Sequence, residues 1–164
     1  MDIIHALTRD HFEEARRLFT EYEAYLNVDL CFQNYAAELA NLPGDYAPPR
    51  GVLLLASDGD EFAGCVAVRQ LEGDICEMKR LFVRPAYRGT GLGRRLARRS
   101  VEKAVRLGYR SMRLDTLERL REALTLYTSM GFRRIQPYYR NPLEGVVYME
   151  LSLASSAADA GSGN

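Results

Sequence analysis

The stretch Glu77–Arg99, EMKRLFVRPAYRGTGLGRRLARR, decides how this chain folds, and the hexapeptide RGTGLG lies at its centre. A run typical of a β-strand precedes the hexapeptide, and a strongly basic run with helical spacing follows it. Glycine permits a positive φ and carries no Cβ, so a ligand can approach its backbone closely. The first N–H groups of a helix lack intrahelical partners and attract phosphate. The sequence therefore predicts an anion-binding cradle formed by Arg88, Gly89, Thr90, Gly91, Leu92, Gly93 and Arg94.

Three other classes of turn compete for the hexapeptide. A P-loop needs a Lys-Ser or Lys-Thr pair after its last glycine, and this chain has none there. A Rossmann turn needs GxGxxG soon after the first strand, whereas Gly89, Gly91 and Gly93 are spaced GxGxG behind several strands. A tight turn without a ligand needs one glycine rather than three, and it remains as the alternative.

Apolar runs on both sides of this stretch predict the neighbouring elements. Before it, runs at 51–57, 63–71 and 75–83 are separated by the turn sequences DGDEF and EGD, which predicts an antiparallel meander. After it, a helix over 92–107 keeps its apolar residues on one stripe, and a strand over 110–117 follows. The strand, helix and strand around the hexapeptide form a crossover, which implies a local parallel pair.

The two ends of the chain complete the predicted order. A short strand at 2–7 precedes a helix capped by Thr8 and a second helix at 32–42. A further helix and two closing strands follow the crossover. This order predicts a mixed α/β (α+β) fold with a mostly antiparallel sheet, in a single domain over 1–153. The small polar tail at 154–164 is predicted to be disordered.

Charge is distributed unevenly along the chain, although its formal net charge is zero. Three arginines and nine acidic residues fall in 1–45, whereas seventeen basic and four acidic residues fall in 78–140. Such asymmetry is typical of a site for an anionic partner or of a solvated basic helix face, and charge alone does not separate the two. Because the net charge is not positive, we expect no nucleic-acid partner.

The cysteines and the N-terminal segment indicate the cellular compartment in which the protein is expected. Cys31, Cys65 and Cys76 form no CxxC pair, and two of them lie in apolar runs, so free thiols in a reducing compartment are predicted. The segment MDIIHALTRDHF lacks the regions of a signal peptide. No stretch approaches the ~18 apolar residues of a membrane span. We therefore expect a cytoplasmic protein without a membrane partner.

The hexapeptide also carries a family resemblance. Arg88-x-x-Gly91-x-Gly93 resembles the [Q/R]-x-x-G-x-[G/A] signature of the GNAT superfamily of acyl-CoA-dependent N-acetyltransferases. The strand before it and the basic helix after it fit the same family. The segment LYTSMGF at 126–132 resembles the family's LYxxxGF motif. The resemblance implies an N-terminal strand and two helices, followed by a central sheet with helices on both faces.

The resemblance implies a binding site for acetyl-CoA and no metal. In the family, the glycine-rich loop and helix N-terminus bind the CoA pyrophosphate, which carries over to the backbone of Arg88–Gly93 and to Arg94. The preceding strand binds the pantetheine arm through its backbone, which carries over to Leu81, Phe82 and Val83. That strand splays from its parallel neighbour, and the gap takes the thioester.

Tyr127 falls where the family's tyrosine protonates the departing CoA thiolate. A phenol can act as a general acid if its hydroxyl reaches the sulfur. The alternative is a core tyrosine, because Leu120, Ala123 and Leu124 share its predicted helix face. Many family members have an asparagine at the position of Leu120, so this contact to CoA is expected to be absent or replaced.

Glu77 lies eleven residues before Arg88, which is the position of the base glutamate in histone-acetyltransferase members of the family. A base is needed because an ammonium group is not nucleophilic. An ion pair of Glu77 with Lys79 or Arg80 is the alternative role. Many relatives deprotonate the amine through ordered water instead.

Strand alternation places Glu77 on one face with Lys79, Leu81 and Val83. The chemistry implied is direct attack of an amine on the thioester. The protein contributes positioning and a backbone N–H that polarises the carbonyl, from Leu81 or Phe82.

The acceptor usually lies between the N-terminal helices and the last hairpin in this superfamily. Aromatic side chains with interleaved polar groups suit a pocket for a small-molecule amine. The acidic N-terminal region favours a cationic acceptor, whereas Arg80 or Arg140 could hold the carboxylate of an amino acid, and the sequence leaves both open. The candidate acceptor residues are Tyr25, Phe32, Gln33, Tyr138 and Asn141.

The sequence leaves open two other functions and the formation of a homodimer. The acceptor can instead be a protein lysine or N-terminus, or the chain can be a non-catalytic acyl-CoA-binding or regulatory domain. Edge strands at the C-terminal end are compatible with a homodimer, which many family members form.

Overall fold

A computed structural model describes residues 1–153, and its elements follow the predicted order. The strands are β1 (Asp2–His5), β2 (Val52–Asp58), β3 (Glu61–Glu72), β4 (Ile75–Val83), β5 (Ser111–Leu117), β6 (Arg133–Ile135) and β7 (Val146–Ser152). The helices are α1 (Arg9–Leu26), α2 (Tyr35–Ala40), α3 (Leu92–Arg106) and α4 (Arg121–Ser129). The tail predicted to be disordered, 154–164, lies outside the described residues.

The strands form one mixed sheet in the order β1-β2-β3-β4-β5-β7-β6. Neighbours are antiparallel except β4 and β5, which run parallel because α3 crosses over between them. The parallel pairing covers Ile75–Ser111, Cys76–Met112 and Glu77–Arg113 and ends there. The predicted mixed, mostly antiparallel fold is therefore confirmed, and its two parallel strands separate beyond the third pair.

Helices cover both faces of the sheet, and each face has its own hydrophobic core. On one face α3 buries a stripe of apolar side chains, and Tyr127 and Phe132 pack beside it. On the other face α1 packs against the sheet together with Tyr35 and Tyr46. The predicted stripe of α3 is thus the face that contacts the sheet. Its fully buried apolar members are Leu92, Leu96, Ala97 and Ala104.

A β-bulge interrupts β4 at Arg80, whose φ is +60°. The register between β3 and β4 shifts at this point, so the alternation of side chains is offset beyond it. Leu81 and Val83 therefore pack into the α3-side core, whereas Glu77 and Lys79 lie on the side of the N-terminal helices. The prediction that these four residues share one face is wrong, because it assumed an unbroken strand.

Two of the three thiols lie in the core. Cys65 and Cys76 are buried and free, whereas Cys31 is exposed. Within residues 1–153, no helix combines the length and the hydrophobicity that a membrane crossing requires.

Candidate active site

The separation of β4 from β5 opens a cleft of about 590 Å³ beside the N-terminus of α3. Beyond Glu77, the backbone edge of β4 that faces β5 has no strand partner in the described chain, so its polar groups are available to a ligand. All but one of the residues predicted to bind CoA line this cleft. They are Leu81, Phe82, Val83, Arg88, Gly89, Gly91, Leu92, Gly93 and Arg94. The exception, Thr90, lies outside the lining and donates a hydrogen bond from Oγ1 to the Tyr87 carbonyl oxygen at 2.7 Å.

The glycine-rich loop leaves the start of α3 open. Gly89 and Gly91 have φ values of +77° and +81°, and the space beside each Cα is empty. Gly91 is the N-cap of α3, and no side chain caps the helix there. The first N–H groups of α3 therefore lack a side-chain acceptor, as an anion site requires. Gly93 has no positive φ, and a Cβ at this position would lie 3.8 Å from Val83 Cγ2.

Arg88 ties the loop to the strand and to α1. Its Nε donates to the Val83 carbonyl oxygen at 3.0 Å, and its guanidinium lies 4.2 Å from the centre of the Tyr25 ring. Tyr25 was predicted as an acceptor residue, and the structure places it in the cleft beside this loop. Its half-exposed ring covers Arg88 rather than reaching the last hairpin.

Tyr127 lies in the cleft wall, where its side chain is 7% exposed. Its ring packs edge-on against Phe132 at 5.7 Å. Among residues 1–153, no group forms a hydrogen bond with its hydroxyl. Burial, with smaller contributions from Tyr22 and Asp115, holds the pKa of this phenol well above its usual value. The hydroxyl is therefore protonated at neutral pH, which is the state that a general acid needs.

Leu120 immediately precedes α4 and provides no capping side chain. It packs with the core on the α1 side and also lines the cleft. At this position the wall is therefore apolar, although Arg119, Arg121 and Glu122 line the cleft beside it.

Glu77 is 1% exposed and accepts hydrogen bonds on both carboxylate oxygens. Arg69 Nε donates to Oε1 at 2.8 Å, Tyr138 donates to Oε2 at 2.6 Å, and Lys79 Nζ lies 3.6 Å from Oε1. Burial alone would raise the pKa of Glu77, but Lys79, Arg69 and Tyr138 outweigh it and lower the pKa below its usual value. These are the contacts of an ion-paired carboxylate. Its arginine partner is Arg69, whereas the sequence had suggested Arg80.

A second cavity of about 470 Å³ lies on the side of the N-terminal helices and shares Gln33 and Lys79 with the cleft. The predicted acceptor residues divide between the two spaces. Asn141 borders the cleft, and Phe32 borders the second cavity. Tyr138 borders neither, and its hydroxyl donates a hydrogen bond to Glu77.

Lys79 stands in the wall common to both spaces, and its side chain is 9% exposed. Its Nζ donates to Gln33 Oε1 at 3.3 Å. Burial lowers the pKa of this ammonium group, and the Glu77 carboxylate offsets part of that shift. The sequence had indicated Lys79 merely as an ion-pair partner.

Asp115 faces the cleft from β5 and was missed in the sequence. Its Oδ2 accepts hydrogen bonds from the Tyr139 hydroxyl at 2.5 Å and from Asn141 Nδ2 at 3.0 Å. Asp115 is the single carboxylate in the strand-like run RSMRLDTL, and this pattern could have marked it as a site residue, as it did for Glu77. In residues 1–153, no group of three His, Cys, Asp or Glu side chains is arranged to hold a metal ion.

The two arginines considered for an acceptor carboxylate do not take that position. Arg80 is committed to Glu38, with Nε and Nη2 donating at 2.9 and 3.0 Å. Its guanidinium also lies over the Tyr35 ring at 4.8 Å. Arg140 borders neither cavity. Neither side chain is therefore placed to receive a carboxylate there.

Comparison with known proteins identifies the class to which this cleft belongs, the acyltransferases that use acyl-CoA. The model of the acetyltransferase (GNAT) family matches residues 4–132. The chain therefore belongs to the GNAT family of N-acetyltransferases.

Individual relatives agree with this assignment. An N-acetyltransferase of Schizosaccharomyces pombe, described as uncharacterized, is 46% identical over 144 residues, which cover 87% of this chain and 88% of that protein. A GNAT-family acetyltransferase of Staphylococcus aureus has the same fold, with a TM-score of 0.77 at 20% identity over 93% of this chain and 98% of its own. An acetyltransferase of Salmonella typhimurium, solved with its cofactor acetyl-CoA, gives a TM-score of 0.65 at 20% identity and covers 93% of each chain.

Proposed function

We propose that this protein transfers the acetyl group of acetyl-CoA to a primary amine of a small molecule. The observation that carries the proposal is the edge of β4 beyond Glu77, which has no strand partner in the described chain. This edge lines the same cleft as the start of α3 and Tyr127. An amide-bearing pantetheine arm can hydrogen-bond with such an edge as a strand would. A cleft and an adjoining cavity of these sizes suit a small acceptor.

The donor phosphates would lie against the open start of α3. The N–H groups of its first turn supply partial positive charge, and Arg88 and Arg94 border the same space. The solved Salmonella typhimurium relative holds acetyl-CoA on the same fold, which supports this placement. Acetyl-CoA is consumed as a co-substrate, and the proposed step uses no metal.

The transfer is a direct attack on the thioester. The amine nitrogen forms a C–N bond with the carbonyl carbon, and the C–S bond breaks as the intermediate collapses. A backbone N–H of Leu81 or Phe82 would stabilise the negative charge on the carbonyl oxygen. Tyr127 would give its proton to the departing thiolate, since its hydroxyl is protonated and unbonded.

The proton leaving the amine has two routes. Glu77 is poorly suited to accept it, because Arg69 and Tyr138 favour its ionised form and it does not line the cleft. Water in the open cleft can carry the proton away without breaking these bonds. We therefore favour the water route and assign Glu77 the role of orienting Tyr138 and Lys79.

Two measurements test the proposal. Calorimetry should show binding of acetyl-CoA, and a thiol reagent should detect CoA release when a panel of primary amines is supplied. Replacing Arg94 in the cleft by Gln should weaken acetyl-CoA binding about tenfold, through loss of a charge-assisted hydrogen bond. Arg98→Gln is the matched control, because Arg98 is exposed on α3 and outside the cleft. Binding of acetyl-CoA without CoA release for any amine would instead support the non-catalytic alternative.

A further inference from the structure

The wall between the two cavities contains a buried ammonium group with unused hydrogen-bonding capacity. Lys79 Nζ carries three donors, and its neighbours among the described residues are Gln33 Oε1 at 3.3 Å and Glu77 Oε1 at 3.6 Å. A buried charge is stable when it is paired and hydrogen-bonded. These two long contacts leave room for a closer anionic partner, because both spaces reach the group.

The two buried acids of the second cavity already have hydrogen-bonded partners within the protein. Both oxygens of Glu77 and both oxygens of Glu38 accept hydrogen bonds from protein groups. The third acid of the lining, Asp45, is exposed. Arg69 uses Nε on Glu77, so the two terminal nitrogens of its guanidinium remain for a ligand. The buried acids beside Lys79 are therefore engaged by the protein, whereas Lys79 keeps donors for a ligand.

Asp115 stands opposite Lys79 across the cleft. Glu77 and Arg113 form the last pair of β4 and β5, and each of these two residues lies two positions further along its strand. Among the described residues, Lys79 and Asp115 form no ion pair within 4 Å. Their charged groups are therefore separated across the cleft. All hydrogen bonds that Asp115 accepts are made to Oδ2, which leaves Oδ1 for an ammonium group.

From these contacts we infer that the acceptor is an amino acid, or an amine with a carboxylate at similar spacing. Its carboxylate binds Lys79 where this side chain lines the cleft. Its amine lies in the cleft near Asp115 and the backbone of Leu81. This inference rests on the proposed function, because it names the substrate class of the same site.

The test compares each of the L-amino acids with its own carboxamide, so that the side chain is constant and the carboxylate alone changes. For the preferred side chain, kcat/KM should be about tenfold or more higher for the free acid than for the amide, the effect of one hydrogen bond to a charged group. Lys79→Met keeps the length of the side chain and removes its donors. It should raise KM for the free acid about tenfold or more and reduce the acid-to-amide ratio to near unity.

The second lysine of the chain provides a matched control. Lys103 is the other lysine of this protein and borders neither cavity, so Lys103→Met should keep the preference for the free acid. Lys79→Gln keeps a polar side chain at this position and removes its charge. It should also reduce the acid-to-amide ratio, and it serves if Lys79→Met does not fold.

The outcomes separate this inference from the proposed function. Equal rates for acids and amides in the wild type, or a ratio unaffected by Lys79→Met, overturn the inference while acetyl transfer stands. If acetyl-CoA binds but no amine releases CoA, the proposed function fails, and a thermal-shift titration decides the inference. Stabilisation by free amino acids in the wild type but not in Lys79→Met supports it, and its absence overturns it.

Discussion

Glu77 of β4 and Arg113 of β5 form the last pair before the two strands separate, and Tyr138 joins their side chains. The Tyr138 hydroxyl donates to Glu77 Oε2 at 2.6 Å, and the Arg113 guanidinium lies 5.3 Å from the centre of its ring. Arg113 also donates to Glu150 of β7 at 2.7 Å. The closed end of the cleft is therefore held by a network of charged and aromatic side chains from both sides of the opening.

The carboxylate of Glu77 should stabilise the fold in a pH-dependent way. Its pKa is lowered in the folded state, so its contribution is complete above the unfolded value, about 4.5, and is lost as the pH falls through the folded value. Glu77→Gln should lower the free energy of unfolding at pH 7 by about 3 kcal/mol, because Lys79 and Arg69 lose a partner. Its stability should also fall less steeply below pH 4.5 than that of the wild type. Urea unfolding over a range of pH measures both effects.

The same variant tests the two routes for the amine proton. If water carries the proton, Glu77→Gln lowers turnover but keeps the acidic limb of the pH–rate profile, where the rate rises with pH as the amine loses its proton. A profile whose controlling pKa disappears in the variant would show that Glu77 is the base.

Tyr127→Phe should reduce kcat by about 100-fold, the lower part of the range for removal of a general acid. Its acetyl-CoA affinity should change little, because the ring and its contact with Phe132 remain. Steady-state kinetics and calorimetry on the same preparation separate the two quantities. Similar losses in turnover and affinity would mean that Tyr127 is a structural residue.

The glycines of the loop should separate folding from binding. Gly91 has φ = +81°, so Gly91→Ala should lower the free energy of unfolding by about 1–2 kcal/mol. Gly93 is the second residue of α3 and has no positive φ, so Gly93→Ala should raise it by at most about 0.5 kcal/mol, the lower end of the value for a glycine in mid-helix. If the donor phosphates approach this backbone closely, the same Gly93→Ala variant binds acetyl-CoA more weakly although it is more stable. Unchanged affinity in Gly93→Ala would argue against a close approach there.

Two bidentate arginine–glutamate pairs allow the effect of burial to be measured. Arg80 and Glu38 are largely buried, whereas Arg134 and Glu118 are both more than half exposed. Arg80→Ala should cost about 3–5 kcal/mol of unfolding free energy, because Glu38 is left without its partner. Arg134→Ala should change the unfolding free energy far less, because solvent screens an exposed pair. Comparable losses in denaturant titrations would contradict this assignment of the Arg80 pair.

The parts of this structure that could be predicted from the sequence depend on local signals. The loop at Arg88–Gly93 and the apolar stripe of α3 are recognisable because glycine spacing and helical periodicity act within a few residues. The bulge at Arg80 was missed, since the positive φ coincides with contacts to Glu38 and Tyr35 that lie more than forty residues away. No local pattern distinguishes such an arginine from one on an ordinary strand.

The same distinction applies to the candidate site. Tyr127 and the backbone of Leu81–Val83 were identified through motifs, and both line the cleft. The juxtaposition of Lys79 and Asp115 arises from the parallel register of β4 and β5, which a single sequence does not specify. Tyr138 was assigned to the acceptor pocket from the aromatic and polar residues around it. Its hydrogen bond to Glu77 was missed, because it spans sixty-one residues and leaves no trace in the local pattern.

The short parallel ladder also has a mechanical consequence. Strands β1–β4 and strands β5–β7–β6 form two halves of the sheet, which are joined by three residue pairs at one end. A pantetheine arm lying between them would connect the two halves, because it would hydrogen-bond along β4 while packing against β5. Loading and release of the donor would then stiffen and relax the whole sheet, so that rigidity of the fold reports occupancy of the cleft.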